Sequence, residues 1–449
     1  MSSLKKLTIR ATIWTIGGYG FSQIWRLGTN LILTRLLQPE VFGLMALVNT
    51  FIIGIHLFSD IGLGPSIIQN KRGDDPVFLN TAWTLQIIRS FFLWFGCLLI
   101  AWPVSKLYND QRLLLLIPII GLGTIISGLN STSLFTLNRQ MALRQISLFE
   151  LGGQIISTTM MMIWAFVSPT IWALVGSSLI TGVIQVLWSH RLNTGEPNRL
   201  AWELKALKEL ISFGKWIFLS TAIFFLASQT DRLILGKLLS FEMLGVYGIA
   251  FSLSDIPRSI ILTLNGKVIF PAMSRMTDLP RETMRTKILK QRKLILLFAA
   301  LILIFPICFG DLFISFLYDK RYIQATWMMP ILALGLWHTI LYSSISAALV
   351  AIGKPMYAAK SSLFTFINLS VGMLIGFHYL GTLGAVIAVA CGDIPTYIVT
   401  LYGLWREKLG CFKQDIQATV VFVTLLALIL FSRYSLGFGF PLQNLFPAS

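Results

Sequence analysis

Thirteen stretches of mostly apolar residues recur along the chain, at 11–36, 41–68, 78–104, 113–137, 147–167, 170–189, 212–236, 243–271, 293–317, 325–351, 357–378, 382–405 and 416–435. Each holds about 20 residues or more, enough to cross roughly 30 Å of hydrocarbon as a helix. Lipid offers no partner to an open backbone, so spans of this length satisfy their own N–H and C=O groups as α-helix. The expected fold class is therefore an all-α integral membrane protein of about 13 transmembrane helices. A content of 55% hydrophobic against 12% charged residues excludes a water-soluble globule. The longest polar connections, near 190–211 and 272–292, hold only about twenty residues each, too few for a separate soluble domain.

The first residues, MSSLKKLTIRATIW, are basic and run into an apolar stretch too long for a signal peptide and without a small-residue cleavage site. They read as a retained first helix. Cys97, Cys308, Cys391 and Cys411 show no paired spacing, and the first three fall inside apolar spans, so neither a disulfide nor a metal framework is expected. His56, His338 and His378 lie in or near spans and read as packed or hydrogen-bonded imidazoles.

A formal charge of +17 raises the question of a nucleic-acid partner, and the placement of the charge answers it. With the N-terminus in the cytoplasm and each span crossing once, 24 of the 36 lysines and arginines fall on the cytoplasmic face, seven on the opposite face and five within spans. This bias is the positive-inside rule, so the charge encodes orientation rather than affinity for nucleic acid.

The line LILTRLLQPEVFG at 31–43 returns as LILGKLLSFEMLG at 233–245, with seven of thirteen positions identical at an offset of 202. Further echoes keep the same order: LKKL at 4–7 with LKEL at 207–210, Trp14 with Trp216, IPIIGLG from 117 with MPILALG from 329, and SLF at 147–149 with SLF at 362–364. Six spans separate the copies, an even number, so both enter the membrane in the same direction as parallel repeats. The expected organisation is an N-terminal six-helix lobe at 1–197, an interfacial linker helix at 198–211, a C-terminal six-helix lobe at 212–405, and an extra helix with outer tail at 406–449. Two such lobes facing a central cleft suit alternating access. The linker expectation rests on a stripe of Leu200, Leu204, Leu207 and Ile211 opposite Glu203, Lys205, Lys208 and Glu209.

TRLLQPEVFGLMALV followed by SDIGLGPSIIQ resembles the opening signature of the polysaccharide-transporter family within the multidrug/oligosaccharidyl-lipid/polysaccharide exporter superfamily, the Wzx-type flippases of lipid-linked oligosaccharides. The sequence-level likeness covers roughly 17–70 with a weaker echo near 231–250. Family members usually show fourteen spans, whereas the tail SLGFGFPLQNLFPAS is too short and polar for another. The resemblance implies a transporter in the bacterial inner membrane that flips undecaprenyl-pyrophosphate-linked oligosaccharide for O-antigen, capsule or exopolysaccharide synthesis. Its other implied partners are membrane lipids, a driving H⁺ or Na⁺, and a polysaccharide polymerase.

Charges inside spans are expensive, on the order of 3 kcal/mol each, and call for a reason. Arg26, Arg89 and Arg258 are the deepest cations, and for an anionic cargo of the implied kind they are the candidate contacts to pyrophosphate or anionic sugar. A competing reading pairs them with carboxylates, as Asp255 with Arg258 three residues on. Asp231 and Arg232 lie near the outer end of span seven, where snorkelling would serve.

No G-x-x-x-x-G-K-[ST] loop occurs, so no nucleotide cofactor is expected and an ion gradient is the natural energy source. Asp60, Asp255 and Asp393 are the candidates for ion coupling; the last two share the context SDIP and GDIP, where proline removes a backbone hydrogen bond. Two rivals to the flippase reading are a drug/cation antiporter, which would favour a cleft dominated by carboxylates, and a membrane enzyme of glycan polymerisation or ligation, which would need a larger outer loop.

Overall fold

The computed structural model describes residues 2–58, 62–140, 142–192, 197–265, 269–274 and 276–443. One of the charges discussed above, Asp60, lies outside them. Apart from one short 3₁₀ turn, every regular element among the described residues is an α-helix. In the first half these are α1 (Ser2–Leu36), α2 (Pro39–Phe58), α3 (Leu63–Gln69), α4 (Pro76–Tyr108), α5 (Arg112–Gly128), α6 (Ser133–Arg139), α7 (Leu143–Val167) and α8 (Ile171–His190). The chain continues with α9 (Leu204–Leu238), α10 (Phe241–Ser254), α11 (Ile256–Leu264), α12 (Phe270–Ser274), α13 (Arg281–Leu317), α14 (Ala325–Ala351), α15 (Met356–Ala390), α16 (Ile394–Arg406) and α17 (Phe412–Ser435).

Eight of the described helical stretches are long and apolar enough to cross a membrane, or nine if the pair α5 and α6, bent by 61°, counts as one span. One of the eight is the 51-residue stretch Met356–Arg406, which at 1.5 Å per residue would measure about 77 Å, more than twice the hydrocarbon thickness. It is divided at Gly381, whose φ of 58° and ψ of −139° only a residue without Cβ adopts freely. On either side of this turn Gly376 and Gly384 bring their backbones into direct contact; a Cβ on either would overlap the other's carbonyl.

The chain forms two compact units, residues 1–41 with 45–225, and residues 42–44 with 226–449. Within the first, α4 packs on α5, α5 on α8, α7 on α8 and α1 on α7. Within the second, α13 packs on α14, α14 on α16, α15 on α16 and α10 on α14. The succession α4, α5, α7, α8 thus pairs within itself as α13, α14, α15, α16 does. Helices in lipid gain little from apolar burial alone, and close packing replaces it. Along α13, Leu296, Ala299, Ala300, Leu303, Ile304 and Ile307 recur every three or four residues on the face that meets Ala333, Trp337, Ile340 and Leu341 of α14.

The linker departs from expectation at its start. Residues 197–203 are not helical, and the helix begins only at Leu204 and runs without interruption to Leu238. Its first-turn face is fixed by Ala206 and Leu210, which are buried among Leu63, Ile67, Phe78 and Ala82.

The final helix is built into the second unit by charge. Arg292 on α13 pairs with Asp415 on α17 at 2.6 Å, both side chains almost wholly buried. Some nineteen residues along, Asp311 pairs with Arg433 at 2.5 Å. The order Arg then Asp on α13 meets the order Asp then Arg on α17, early residue with early and late with late, so the two helices run parallel. Between the two pairs, Trp337 stacks on Phe422 at 4.3 Å and its indole N–H donates to Thr419.

Candidate functional site: two polar cavities

Each unit contains a polar cavity where helices break. Irregular backbone at membrane depth is tolerated where it is buried in protein or lines a wet cavity. The first, of about 370 Å³, is bordered by the start of α3, by α4 and by the bend between α5 and α6. Its polar lining comes from Gln86, Arg89 and Ser90 on α4, Thr124 and Ser127 on α5, and Asn130 and Ser131 at the bend. The bend frees carbonyls at the end of α5, and Gln86 takes two of them, donating Nε2 to Gly128 O at 2.9 Å and to Asn130 O at 3.2 Å. Arg89, half-buried, donates Nη2 to the carbonyl of His56 at 2.9 Å, in the last turn of α2. Asn130 Oδ1 is buried without a hydrogen-bond partner.

The second cavity, of about 250 Å³, lies wholly within the second unit and collects three carboxylates and two guanidinium groups: Asp231, Asp255, Asp393, Arg232 and Arg258. The repeated tetrapeptides acquire the same geometry. Asp255 sits at the junction of α10 and α11 and Asp393 at the start of α16, each carboxylate preceding an Ile-Pro that opens a helix. Proline is favoured in the first turn because its missing N–H would be unpaired there.

The carboxylates differ in their partners. Asp231 Oδ2 accepts from Tyr247 Oη at 2.8 Å. Asp393 Oδ2 accepts from Thr339 Oγ1 at 3.0 Å and Tyr342 Oη at 3.2 Å, both on α14. Asp255 faces Arg258 across 3.6 Å, too far for a hydrogen bond, and both Asp255 Oδ1 and Arg258 Nε are buried without a hydrogen-bond partner. Arg232 is held differently, donating to Gln229 Oε1 at 3.1 Å and resting over the Phe251 ring at 5.9 Å. With all five groups ionised, three carboxylates against two guanidinium groups leave the cavity at −1.

Among the residues singled out from sequence, Arg89 therefore lines the first cavity, and Asp255, Arg258 and Asp393 share the second. Asp60 falls outside the described residues. Arg26 is exposed and lines neither cavity; on α1 its neighbours Ser22 and Trp25 face α7, where they bond Gln154 and Thr158. The snorkelling reading of Asp231 and Arg232 gives way to cavity lining. Tyr247, Thr339 and Tyr342 escaped notice because a hydroxyl in an apolar helix carries no charge to mark it. The buried pairs of α13 and α17 escaped notice too, although a lone Asp311 inside an apolar span signals that a cation has to meet it.

Helices of membrane length, with charged cavities where they break, define the described residues as those of a multi-pass membrane protein. The fold is that of a solved structure described as lipid II flippase MurJ in its inward closed conformation, with a TM-score of 0.73, 14% identity, and coverage of 94% of this chain and 93% of MurJ. Residues 32–326 match the family described as polysaccharide biosynthesis protein, and the chain belongs to that family. Its relatives include the lipopolysaccharide biosynthesis protein WzxC of Escherichia coli, 21% identical over 421 residues that cover 91% of this chain and 83% of WzxC. The teichuronic acid biosynthesis protein TuaB of Bacillus subtilis is 23% identical over 300 residues; the match covers 66% of this chain and 61% of the length of TuaB.

Proposed function

We propose that this protein is a secondary transporter that flips lipid-pyrophosphate-linked oligosaccharide repeat units from the cytoplasmic to the outer leaflet of a bacterial inner membrane. Family membership, the alignment with WzxC over 91% of the chain and the fold shared with a lipid II flippase support transport over glycan polymerisation or ligation. The observation that carries the reading is the half-buried arginine in each polar cavity, Arg89 in one unit and Arg258 in the other. A guanidinium group in a low-dielectric bundle offsets the desolvation of a phosphate through paired, charge-assisted hydrogen bonds. Arg26, exposed on α1, is the third proposed contact.

The proposed topology has the N-terminus in the cytoplasm and thirteen crossings, grouped as two six-helix lobes and one additional helix. Helices α1 and α9, at 35 residues each, are long enough to span, and the turn at Gly381 makes two crossings of the stretch from Met356 to Arg406. Alternating access driven by an ion gradient uses Asp255 and Asp393 as proton or sodium ligands, with Asp60 as a third. A second reading, a drug or cation antiporter, is favoured by the −1 balance of the second cavity.

The test is deletion of the gene in its host, followed by measurement of undecaprenyl-linked oligosaccharide on the two leaflets. Accumulation on the cytoplasmic leaflet, reversed by the wild-type chain and not by Arg89→Ala, is the expected result. Normal export with heightened sensitivity to cationic drugs would establish the antiporter instead.

A further inference from the structure

The segment that leads into α9, within the first unit, carries a surface that the transport reading does not use. Residues 197–203 are laid along the start of α4: the amides of Arg199, Ala201 and Glu203 donate to Asn80 Oδ1 at 3.0 Å, Thr84 Oγ1 at 3.1 Å and Thr81 Oγ1 at 3.2 Å. Alternate amides are thereby anchored. The side chains between them, Leu200 and Trp202, are left 71% and 52% exposed, and Leu204 at the helix start is 66% exposed.

Charge is sorted across this strap. Its two carboxylates turn inward onto one cation: Glu203 pairs with Arg72 at 2.6 Å, and Glu209 lies 3.7 Å from the same guanidinium and accepts from Asn70 Nδ2 at 2.8 Å. Arg199, Lys205 and Lys208 are exposed. The outward face therefore presents an apolar ridge containing one tryptophan together with three cations, and its own acids are occupied elsewhere. Tryptophan favours the headgroup level of a bilayer, and clustered Lys and Arg beside it favour anionic lipid.

We infer that the strap 197–204 with Lys205 and Lys208 is a docking surface for anionic phospholipid headgroups, seated in the bilayer interface on its side of the membrane. Its rigidity comes from the α4 hydrogen bonds, so the ridge meets the lipid already ordered and no folding accompanies binding. Each cation near an anionic surface is worth about fivefold in preference for that lipid.

The experiment places a fluorophore at position 202 through Trp202→Cys in a Cys391→Ser background, since Cys391 is the exposed thiol and Cys97, Cys308 and Cys411 are buried. The full chain is reconstituted in phosphatidylcholine nanodiscs containing a trace of nitroxide-labelled phosphatidylglycerol or nitroxide-labelled phosphatidylcholine. Expected is protection from aqueous iodide, with quenching several times stronger by the phosphatidylglycerol probe. Adding Arg199→Gln, Lys205→Gln and Lys208→Gln brings the two probes to equal strength. Equal quenching in the parent, free access of iodide, or shielding from iodide and both lipid probes alike by a protein cover would each overturn the assignment. None of these readouts depends on what cargo the protein carries.

Discussion

Arg433 closes on Asp311 as a two-pronged pair, Nη1 donating to Oδ1 at 2.7 Å and Nη2 to Oδ2 at 2.5 Å, with the guanidinium also capping the carbonyl of Phe438. The arginine side chain is 1% exposed. Breaking a buried pair strands one charge in a medium that cannot solvate it, a loss on the order of 3–5 kcal/mol. Asp311→Ala is therefore expected to lower the thermal midpoint in detergent sharply. The double replacement Asp311→Leu with Arg433→Met should recover most of the loss, because the attraction of a buried pair is largely offset by desolvation. A single variant that melts like the wild type would show that water reaches the site.

The duplicated line leads to a second expectation. Gly43 closes its first copy and Gly245 closes the second, and residues 42–44 belong to the second unit, where Gly43 lies against α10. A Cβ at Gly43 would overlap the carbonyl oxygen of Phe241 and stand 2.9 Å from the amide of Gly245. Backbone atoms cannot yield as a side-chain tip can. Gly43→Val should destabilise the protein by several kcal/mol by overpacking, while Gly248→Ala, where a Cβ meets nothing within 4 Å, should be nearly neutral. Measured unfolding midpoints of the two variants decide the matter; equal values would remove the close approach as a constraint.

Much of the architecture was written in patterns that chemistry makes visible. Apolar runs of membrane length mark the helices, and the SDIP and GDIP tetrapeptides mark two carboxylates that meet in one cavity. Where the signal is not periodic it was lost. The break at Asp255 divides an uninterrupted apolar run, and only tertiary packing selects the proline at 257 as a helix start rather than a kink. The linker reads as an amphipathic helix from Leu200 onwards, yet side chains of α4 outbid helical hydrogen bonds for the amides of 199, 201 and 203. Such competition depends on residues more than a hundred positions away.

Acid should loosen that linker in a defined way. The side-chain hydrogen bond from Arg72 is the main cause that holds the Asp75 carboxyl below its ordinary value of 3.8. A depressed folded-state pKa stabilises fully above the unfolded value, and the contribution disappears as pH falls through the folded one. The thermal midpoint should therefore decline below about pH 3.8. Asp75→Asn should flatten part of that decline, and should be the less stable protein only on the neutral side. Parallel slopes for the two proteins would remove Asp75 from the account.

The cavity arginines make the sharpest claim on function. Arg258 keeps Nε without a hydrogen-bond partner and stands 3.6 Å from Asp255, so its replacement breaks an ion pair but no hydrogen bond among the described residues, and takes the cavity from −1 to −2 with all groups ionised. Arg89 caps the end of α2 through the His56 carbonyl, a contact worth about 1–3 kcal/mol for a charged donor. Arg258→Ala is thus expected to reach the membrane at normal levels yet lose export of the lipid-linked glycan by an order of magnitude or more. Arg258→Lys should recover only part, because a point charge cannot offer the planar fork that grips a phosphate. Arg89→Ala should lose both export and some stability. Export is read as surface glycan per cell, normalised to transporter in the membrane fraction. If Arg258→Ala exports normally while Asp393→Asn does not, the second cavity serves ion coupling alone, and the phosphate contacts belong elsewhere.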